Sequence, residues 1–519
     1  MSPTQTNQKI LQSTSVMSLG TMLSRILGFV RDIIFAKFFG TALGADAFVV
    51  AFRIPNLFRD IIGEGAANSS FVPVMTEYKE NRPEELKEFL NAVFLWAVRV
   101  LVVITIIGVL CAPLIIRAIA PGLASAPERL ELAANLTRIM FPYLIFIGLT
   151  ALFSAIQFTF GSFTMPALGP CLLNIALIVS TLMAVWWMKQ PVYGLAIGVV
   201  VGGLLQLWFQ WRPLKKHGVV FRWPRTINHE GVKRVGKLLM PRILGTAVYQ
   251  LNIFIDTICA SLSSIVGPGA ISAIYYANRL VFLPLGVFGV ALAVASLPVF
   301  SRYALVDNKE EFKKTLVFSL QNIIFVMLPM TVFFCLLARP IIRVIFQRGA
   351  FDVYSTIITS DALFFFSLGL IGYGGVKILV TAFHALQDTK TPVKVAVMAL
   401  VVNAALNGIL MFPMKLSGIA LASSISAFVN ITVLAVLLEK RLGIFLPSLR
   451  GFLLKIIVPA LGQGLVVWAF WRWLFPVPEI LRLVIVFVLG STVYWFIAHL
   501  CKFEQPKAII ESLFAKCMK

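Results

Sequence analysis

Ionisable side chains stand inside stretches of this sequence that are otherwise apolar. The first of these stretches carries Ser24, Arg25, Arg31 and Asp32. On a helix Ser24, Gly28 and Arg31 fall on one stripe, with Arg25 and Asp32 on its flank. The arginine side chain is planar, always charged and able to donate paired hydrogen bonds to phosphate or carboxylate. The chemistry that this segment offers is therefore recognition of an anion.

A second polar face follows in residues 46–64. Arg53, Asn56, Arg59 and Glu64 are spaced so that they form one continuous helical face, and Asp46 precedes them. Ionisable residues inside a bilayer are costly, so they should face other parts of the protein or a water-filled cavity. We therefore predict that this face lines a cavity.

Asn278 and Arg279 form a third polar site, at the position of residues 52 and 53 in an internal repeat that is described below. The predicted cavity is net basic, whereas a cavity for cationic drugs would place carboxylates at its centre. We therefore expect an anionic cargo that carries phosphate or pyrophosphate. The charged cavity residues are Arg25, Arg31, Arg53, Arg59 and Arg279, against Asp46 and Glu64.

A structural alternative is that each arginine pairs with a neighbouring acid. Arg31 and Asp32 are adjacent in the sequence, as are Arg59 and Asp60. Adjacent residues do not share a helical face, so we expect such pairs to be poor within one helix. Pairs between different helices stay open as an alternative.

The whole chain, and not only these segments, is rich in hydrophobic residues. Of its 519 residues 59% are hydrophobic and 13% are charged, whereas soluble proteins carry about 25% charged residues. Apolar runs that approach or pass the roughly 20 residues needed to cross a bilayer recur to the C-terminus. We predict an all-α polytopic membrane protein with about 14 transmembrane helices. The predicted spans are residues 11–40, 46–77, 88–119, 131–161, 166–188, 191–212, 235–263, 268–303, 312–346, 353–386, 391–412, 416–439, 451–475 and 480–501.

The net charge of +22 is explained by the loops between these spans. Basic residues concentrate in short connections such as residues 212–237, whereas residues 40–44 and 263–269 carry none. Basic loops mark the cytoplasmic side of a membrane protein, and here they lie on the side of both termini. We predict that both termini are cytoplasmic and that no nucleic acid is bound.

The sequence repeats itself at an offset of 225 or 226 residues. Residues 20–21 return as 245–246, and residues 115–117 return as 341–343; six such matches occur in order. Biased composition alone would not preserve this register.

The repeat predicts two halves of six spans each. Six is an even number, so both halves enter the membrane in the same direction and form a parallel repeat, with the substrate site expected between them. The predicted domains are residues 1–225 with spans 1–6, residues 226–447 with spans 7–12, and residues 448–519 with a C-terminal helix pair and tail.

Several short motifs are specific in combination. They are residues 24–32, 45–48, 55–59, 64–66, 71–73, 275–280 and 387–394. With these motifs the chain resembles, over essentially its whole length, the MurJ (MviN-type) family of lipid II flippases. This family belongs to the multidrug/oligosaccharidyl-lipid/polysaccharide exporter superfamily.

The resemblance implies a transporter rather than an enzyme, in the bacterial cytoplasmic membrane. Its cargo would be lipid II, an undecaprenyl-pyrophosphate-linked disaccharide-pentapeptide moved to the outer face for peptidoglycan synthesis. Spans 13 and 14 would hold the polyprenyl tail, and membrane lipids and the peptidoglycan synthesis machinery are candidate partners. The family's essential cavity residues correspond to Arg25, Arg31, Arg59 and Arg279, with Asp46 and Glu64 as functional acids.

One departure from the family pattern concerns residue 278. Relatives often carry an acid just before the arginine of span 8, whereas this chain carries Asn278. Arg279 therefore has no carboxylate beside it in sequence, which puts a local charge switch in doubt.

No cofactor is predicted, apart from a candidate sodium ion. Some relatives bind sodium through an Asp on span 7 and polar residues on spans 11 and 12, and this chain offers Asp256, Asn403, Asn407 and Ser423. Oxygen ligands suit a hard cation. The alternative is that the two asparagines only pack one helix against another.

Three other functions are alternatives to this prediction. The nearest is a flippase for a different undecaprenyl-linked glycan. A membrane glycosyltransferase would need a catalytic base and usually a sizeable outer loop, whereas the longest predicted outer loop is about residues 120–130. An ion-coupled exporter of cationic drugs is disfavoured by the sign of the cavity.

Overall fold

The structure is a computed structural model that describes residues 3–61, 67–216, 219 and 229–506. These residues form helices joined by short turns, and the predicted all-α class is confirmed for them. The helices are α1 Pro3–Phe39, α2 Leu43–Ile61, α3 Ala67–Asn81, α4 Leu86–Leu110, α5 Ala112–Ile119, α6 Pro127–Met140, α7 Tyr143–Thr159, α8 Thr164–Trp187, α9 Val192–Lys216, α10 Glu230–Ser261, α11 Ser263–Val266, α12 Ala270–Pro284, α13 Val290–Leu305, α14 Lys309–Phe346, α15 Val353–Leu368, α16 Leu370–Ala385, α17 Lys390–Met414, α18 Leu416–Leu442, α19 Leu446–Trp473 and α20 Glu479–Leu500.

Within the described residues, 10 helical segments are long and apolar enough to cross a membrane, and 11 if the pair α15 and α16, bent by 44°, is one span. They correspond to predicted spans 3–6 and 8–14. Predicted spans 1, 2 and 7 correspond to α1, to α2 with α3, and to α10. These helices are not among the segments that meet the same criteria within the described residues, so the count of fourteen stays a prediction.

Contacts between Cα atoms divide the chain into two compact units. The first contains Met1–Ser264 with Arg348–Phe351, and the second contains Ile265–Gln347 with Asp352–Lys519. Helix α10 thus groups with the first unit, although the repeat assigns it to the second half. The domain bounds drawn from the repeat stay a prediction about evolutionary halves.

Hydrogen bonds join both ends of helix α10 to other parts of the first unit. Near its start Arg234 donates to both carboxylate oxygens of Glu77 on α3, at 2.9 and 2.7 Å. At its other end Ser261 Oγ accepts a 3.0 Å bond from the backbone N–H of Gly122. These contacts explain why α10 packs with helices that precede it in the sequence.

In the second unit, a proline in α14 creates the attachment point of the C-terminal helix pair. Pro329 has no N–H, so the Phe325 carbonyl one turn earlier lacks its usual helical donor. The buried hydroxyl of Tyr494 on α20 donates to that carbonyl at 2.9 Å. Gln463 on α19 donates to the Pro329 carbonyl at 3.2 Å. The predicted helix pair α19 and α20 is therefore held by polar contacts with α14.

Candidate anion-binding site

The predicted polar stripe of α1 faces helix α8. The side chain of Asn174 on α8 donates to the Ser24 carbonyl at 3.0 Å and accepts a 3.0 Å bond from Arg31. A Cβ at Gly28 would lie 3.6 Å from the Asn174 amide, an ordinary packing distance, so Gly28 faces α8 on the same stripe. Ser24, Gly28 and Arg31 therefore share one stripe as predicted, and the stripe is part of a helix interface.

Arg31 and Asp32 form an ion pair, which corrects the expectation that adjacent residues pair poorly. Arg31 Nε and Nη2 both donate to Asp32 Oδ1, at 3.0 and 2.7 Å. Both residues are buried, at 9% and 1% exposure. The long arginine side chain reaches around the helix because leaving either charge alone in an apolar environment would cost more than the bent geometry.

Arg25 lies two turns before Asp32 and differs from Arg31 in its surroundings, because its side chain is exposed. An exposed guanidinium can bind an incoming anion without first losing a protein partner. Of the two arginines predicted on α1, Arg25 is therefore the more accessible to a cargo phosphate.

Helix α2 presents the second predicted set. Arg53 is half-buried and donates to the Thr257 hydroxyl and to the Ile253 carbonyl, both on α10. Arg59 and Asn56 are half-buried, and Asn56 Oδ1 is buried without a hydrogen-bond donor among the described residues. Arg53 therefore joins α2 to α10. Arg59 lies further along the same helix, and Asn56 has a carbonyl oxygen that can still accept a hydrogen bond.

The two acids predicted for this site have different outcomes. Asp46 lies in the first turn of α2 and is buried at 7% exposure. Glu64 lies outside the described residues, so its prediction is not tested.

The span-8 residues lie on α12 in the second unit. Asn278 is half-buried and Arg279 is exposed. The Tyr275 hydroxyl one turn earlier accepts a 3.0 Å bond from Arg279, whose guanidinium carbon lies 4.9 Å from the tyrosine ring centre. Tyr275 therefore orients Arg279 in the absence of an adjacent carboxylate.

Three of the four residues predicted to bind sodium form a buried cluster in the second unit. Asn403 Nδ2 donates to Ser423 Oγ at 3.1 Å, and Asn407 Nδ2 donates to Asn403 Oδ1 at 3.1 Å. The fourth residue, Asp256, is buried on α10 in the first unit. The cluster has oxygen atoms that suit a sodium ion, and its hydrogen bonds also join α17 to α18 without an ion. Among the described residues no group of three or more His, Cys, Asp or Glu side chains lies together as a metal site.

Sequence reasoning missed Asn174 and Thr257, and it missed the contact of Tyr275 with Arg279, although Tyr275 belongs to the motif at residues 275–280. Asn174 is an isolated amide within predicted span 5, and an amide inside an apolar span was the available signal. Thr257 lies one residue after Asp256, and Tyr275 lies one turn before Arg279. Neither threonine nor tyrosine stands out in a sequence as the partner of a charged side chain. Their roles depend on which helix lies opposite or on the chosen rotamer.

The Gln387–Lys394 motif forms a charged cap outside the membrane spans. Asp388 Oδ1 accepts the Thr391 backbone N–H at 2.9 Å, and Asp388 Oδ2 accepts the Thr391 hydroxyl and Arg441, both at 2.6 Å. These bonds, with those from Thr391 the strongest, lower the pKa of Asp388 to about 2. The motif therefore starts α17 and fastens it to the end of α18.

This cap predicts a pH-dependent stability. The pKa of Asp388 is lower in the folded protein than the ordinary value of about 3.9, so the cap stabilises the fold above roughly pH 4 and loses its effect towards pH 2. We expect Asp388→Asn to lower the melting temperature in detergent at pH 5–7. The difference from the unmodified protein should shrink between about pH 4 and pH 2. Thr391→Val should move that change to higher pH, and a difference that is independent of pH would contradict the assignment.

The apolar helices define this chain as a polytopic α-helical membrane protein. Its fold is similar to that of an inward-facing multidrug resistance MATE family transporter of the MOP superfamily, with a TM-score of 0.67 over 83% of this chain and 98% of that one. At 14% identity this likeness concerns the fold alone.

The family follows from closer relatives. The family model "Lipid II flippase MurJ" matches residues 35–487. A probable lipid II flippase MurJ of Buchnera aphidicola is 38% identical over 437 residues, which are 83% of this chain and 84% of the relative. The lipid II flippase MurJ of Burkholderia cenocepacia is 36% identical over 461 residues, 87% of this chain and 88% of the relative. A solved structure of lipid II flippase MurJ in an inward closed conformation has a TM-score of 0.77 at 30% identity, over 92% of this chain and 98% of that one.

This chain belongs to the MurJ lipid II flippase family. The predicted family is thereby confirmed. The chain is an integral membrane protein of the bacterial inner membrane and a transporter rather than an enzyme.

Proposed function

We propose that this protein moves lipid II from the inner to the outer leaflet by alternating access. Family membership supports the cargo, because relatives that align over more than four fifths of their length are named lipid II flippases. Lipid II carries a pyrophosphate between its polyprenyl tail and its sugars. A transporter for it needs cationic groups that can hold that pyrophosphate away from water and release it again.

The observation that carries the proposal is the set of arginines held within spans and accessible to a ligand. Arg25 on α1 and Arg279 on α12 are exposed, and Arg59 on α2 is half-buried beside the open Asn56 carbonyl. Charged side chains within membrane spans usually face the protein interior or a water-filled cavity, and a guanidinium there suits a phosphate group. In our proposal these arginines capture the pyrophosphate, and Arg31 and Arg53 hold the helices that present them.

The proposed architecture has fourteen spans in two parallel halves, with both termini in the cytoplasm and the site between the halves. Helices α19 and α20 form the additional pair and hold the polyprenyl tail. Exposed apolar side chains on both helices, such as Leu461, Leu465 and Val484, suit a hydrocarbon ligand.

The membrane potential, negative inside, supplies part of the driving force. Moving an anion outward is favoured by about 2.3 kcal/mol per charge per 100 mV. We propose sodium as a coupling ion at Asn403, Asn407 and Ser423, and Asp256 stays a separate candidate ligand in the first unit. The buried oxygens of the three second-unit residues support this choice. Transport that is unchanged after removal of sodium, or in Asp256→Ala, would eliminate the sodium site.

The experiment is depletion of the protein in its bacterium, followed by measurement of lipid II on the outer face of the membrane. We expect lipid II to accumulate in the inner leaflet.

Plasmid-borne Arg59→Ala and Arg279→Ala should insert into the membrane and fail to restore growth, whereas the matched control Arg302→Ala, an exposed arginine at the end of α13, should restore it. Normal outer-leaflet lipid II after depletion would refute the cargo. Growth with both arginine variants would refute the arginine site. Accumulation of a different undecaprenyl-linked glycan would identify that glycan as the cargo.

A further inference from the structure

Two opposite charges are exposed within the membrane-spanning part of the second unit. Arg339 on α14 lies seven residues before the helix ends at Phe346, and Asp361 on α15 lies eight residues after that helix begins at Val353. At 1.5 Å per residue these positions are about 10 and 12 Å inside the helix ends. Both side chains are exposed. Charges at this depth need a polar partner, because hydrocarbon does not solvate them.

A cavity of about 220 Å³ lies between the two residues. Helix α14 bends at Leu337, whose φ of −121° and ψ of 19° are not helical, and Pro340 follows in the next turn. Arg339, Asp361, Ser360 and Cys335 supply the polar part of the cavity wall.

Arg339 and Asp361 share this cavity without forming an ion pair. No salt bridge within 4.0 Å involves either residue in the part of the chain that the structure describes. Ser360 Oγ donates to the Thr356 carbonyl at 2.6 Å, so its lone pairs remain able to accept. The cavity therefore presents a cation, an anion and an acceptor that are held apart.

A ligand that completes this arrangement must carry an anion and a hydrogen-donating cation a few bonds apart. Exposed Leu336 and Ile357 also line the cavity, so the ligand must have an apolar part next to its charges. The headgroup of phosphatidylethanolamine has both features, because its phosphate is joined to a primary ammonium and to acyl chains. A choline headgroup has no N–H to donate, and a glycerol headgroup has no positive charge.

We propose that this cavity binds the headgroup of a phosphatidylethanolamine molecule from the surrounding membrane. The phosphate contacts Arg339, and the ammonium donates to Asp361 and Ser360. The predicted orientation of the chain places this end of α14 and α15 on the outer side of the membrane. The site is separate from the proposed cargo arginines and does not depend on the identity of the cargo.

The test uses the full-length protein in a mild detergent. Native mass spectrometry would compare phosphatidylethanolamine with its N-trimethylated choline analogue and with phosphatidylglycerol, all with the same acyl chains. We expect phosphatidylethanolamine to bind at least about tenfold more tightly than either, as the loss of a charged hydrogen bond implies. This comparison needs no variant, so it holds even if a substitution impairs folding. Equal binding of the three lipids would overturn the proposal.

Variants then locate the site. Arg339→Gln and Asp361→Asn should each weaken phosphatidylethanolamine binding about tenfold. Arg302→Gln and Asp307→Asn, exposed charges near the opposite end of α14, should leave it unchanged. Unaltered binding in both cavity variants would overturn the proposal. A second protein copy or a partner helix isolated in place of lipid would do so as well.

Discussion

Replacing Asp32 with Ala is expected to lower the free energy of unfolding by about 3–5 kcal/mol. Asp32 is 1% exposed, and Arg31 donates two hydrogen bonds to the same carboxylate oxygen. Removing the carboxylate takes an ion-pair partner away from a buried guanidinium. Thermal and denaturant unfolding in detergent, together with the amount of protein in membranes, would measure the loss.

The controls separate structure from transport. The double variant Arg31→Ala/Asp32→Ala should be more stable than Asp32→Ala alone, because no uncompensated charge remains. Arg25→Ala should change stability by less than about 0.5 kcal/mol, because its side chain is exposed. Arg25→Ala should still fail to support growth if that arginine binds cargo. Asp32→Ala with unchanged stability would contradict the structural role of the pair.

The difference between a loss of stability and a loss of transport must be kept in view when variants of Arg31 are interpreted. Loss of growth in Arg31→Ala does not by itself identify cargo binding, since the same variant removes contacts with Asp32 and Asn174. Arg31→Lys keeps the charge and loses the paired geometry. A folded Arg31→Lys protein that fails in transport would assign Arg31 a direct role in binding.

Gly122→Ala is expected to destabilise the first unit by about 1–3 kcal/mol, since overpacking a close contact costs that much. A Cβ at this residue would lie 1.8 Å from the Ser261 carbonyl oxygen and 2.8 Å from the Leu262 backbone nitrogen. Both atoms belong to backbone at the end of α10, which cannot rotate away as a side chain can. We expect a lower melting temperature and faster proteolysis of the connection around residue 122.

Gly236→Ala is the matched control on α10. A Cβ there would meet no described heavy atom within 4 Å, and Ala in a helix interior is favoured over Gly by about 0.5–1 kcal/mol. Gly122 has a φ of −68°, which Ala adopts readily, so any loss comes from the close approach and not from backbone strain. Equal stability of the two variants would show that Gly122 does not contact α10 closely.

Much of the helical architecture could be predicted from the sequence, because a bilayer leaves a chain few choices. Every backbone polar group must find a partner within its own segment, so long apolar runs become helices. Predicted spans 3–6 and 8–14 match helical segments that are apolar enough to cross a membrane. The C-terminal pair was predicted from length and hydropathy, but its attachment through Tyr494 to the carbonyl freed by Pro329 was not. That contact requires two helices to meet more than 160 residues apart in the sequence.

The anion-binding site stays a prediction, to which the structure adds the hydrogen-bond partners of its residues. The stripe of Ser24, Gly28 and Arg31 follows from helical periodicity and is present. What it faces could not be predicted, because periodicity does not say which neighbouring helix covers a stripe. Asn174 covers it, so Arg31 is a buried structural residue while Arg25 stays accessible.

The sequence by itself determined that this is a helical membrane transporter with basic residues set in its spans, and its motifs placed it in the lipid II flippase family. These properties depend on composition, on periodicity and on short motifs, which are local. The exposure of each arginine and its hydrogen-bond partners came from the tertiary structure alone. A guanidinium on a flexible side chain has the same sequence signature whether it is exposed or buried, and its partners come from helices far away in the chain. The ion pair of Arg31 with Asp32 and the bond of Arg53 to Thr257 are therefore properties of the folded protein.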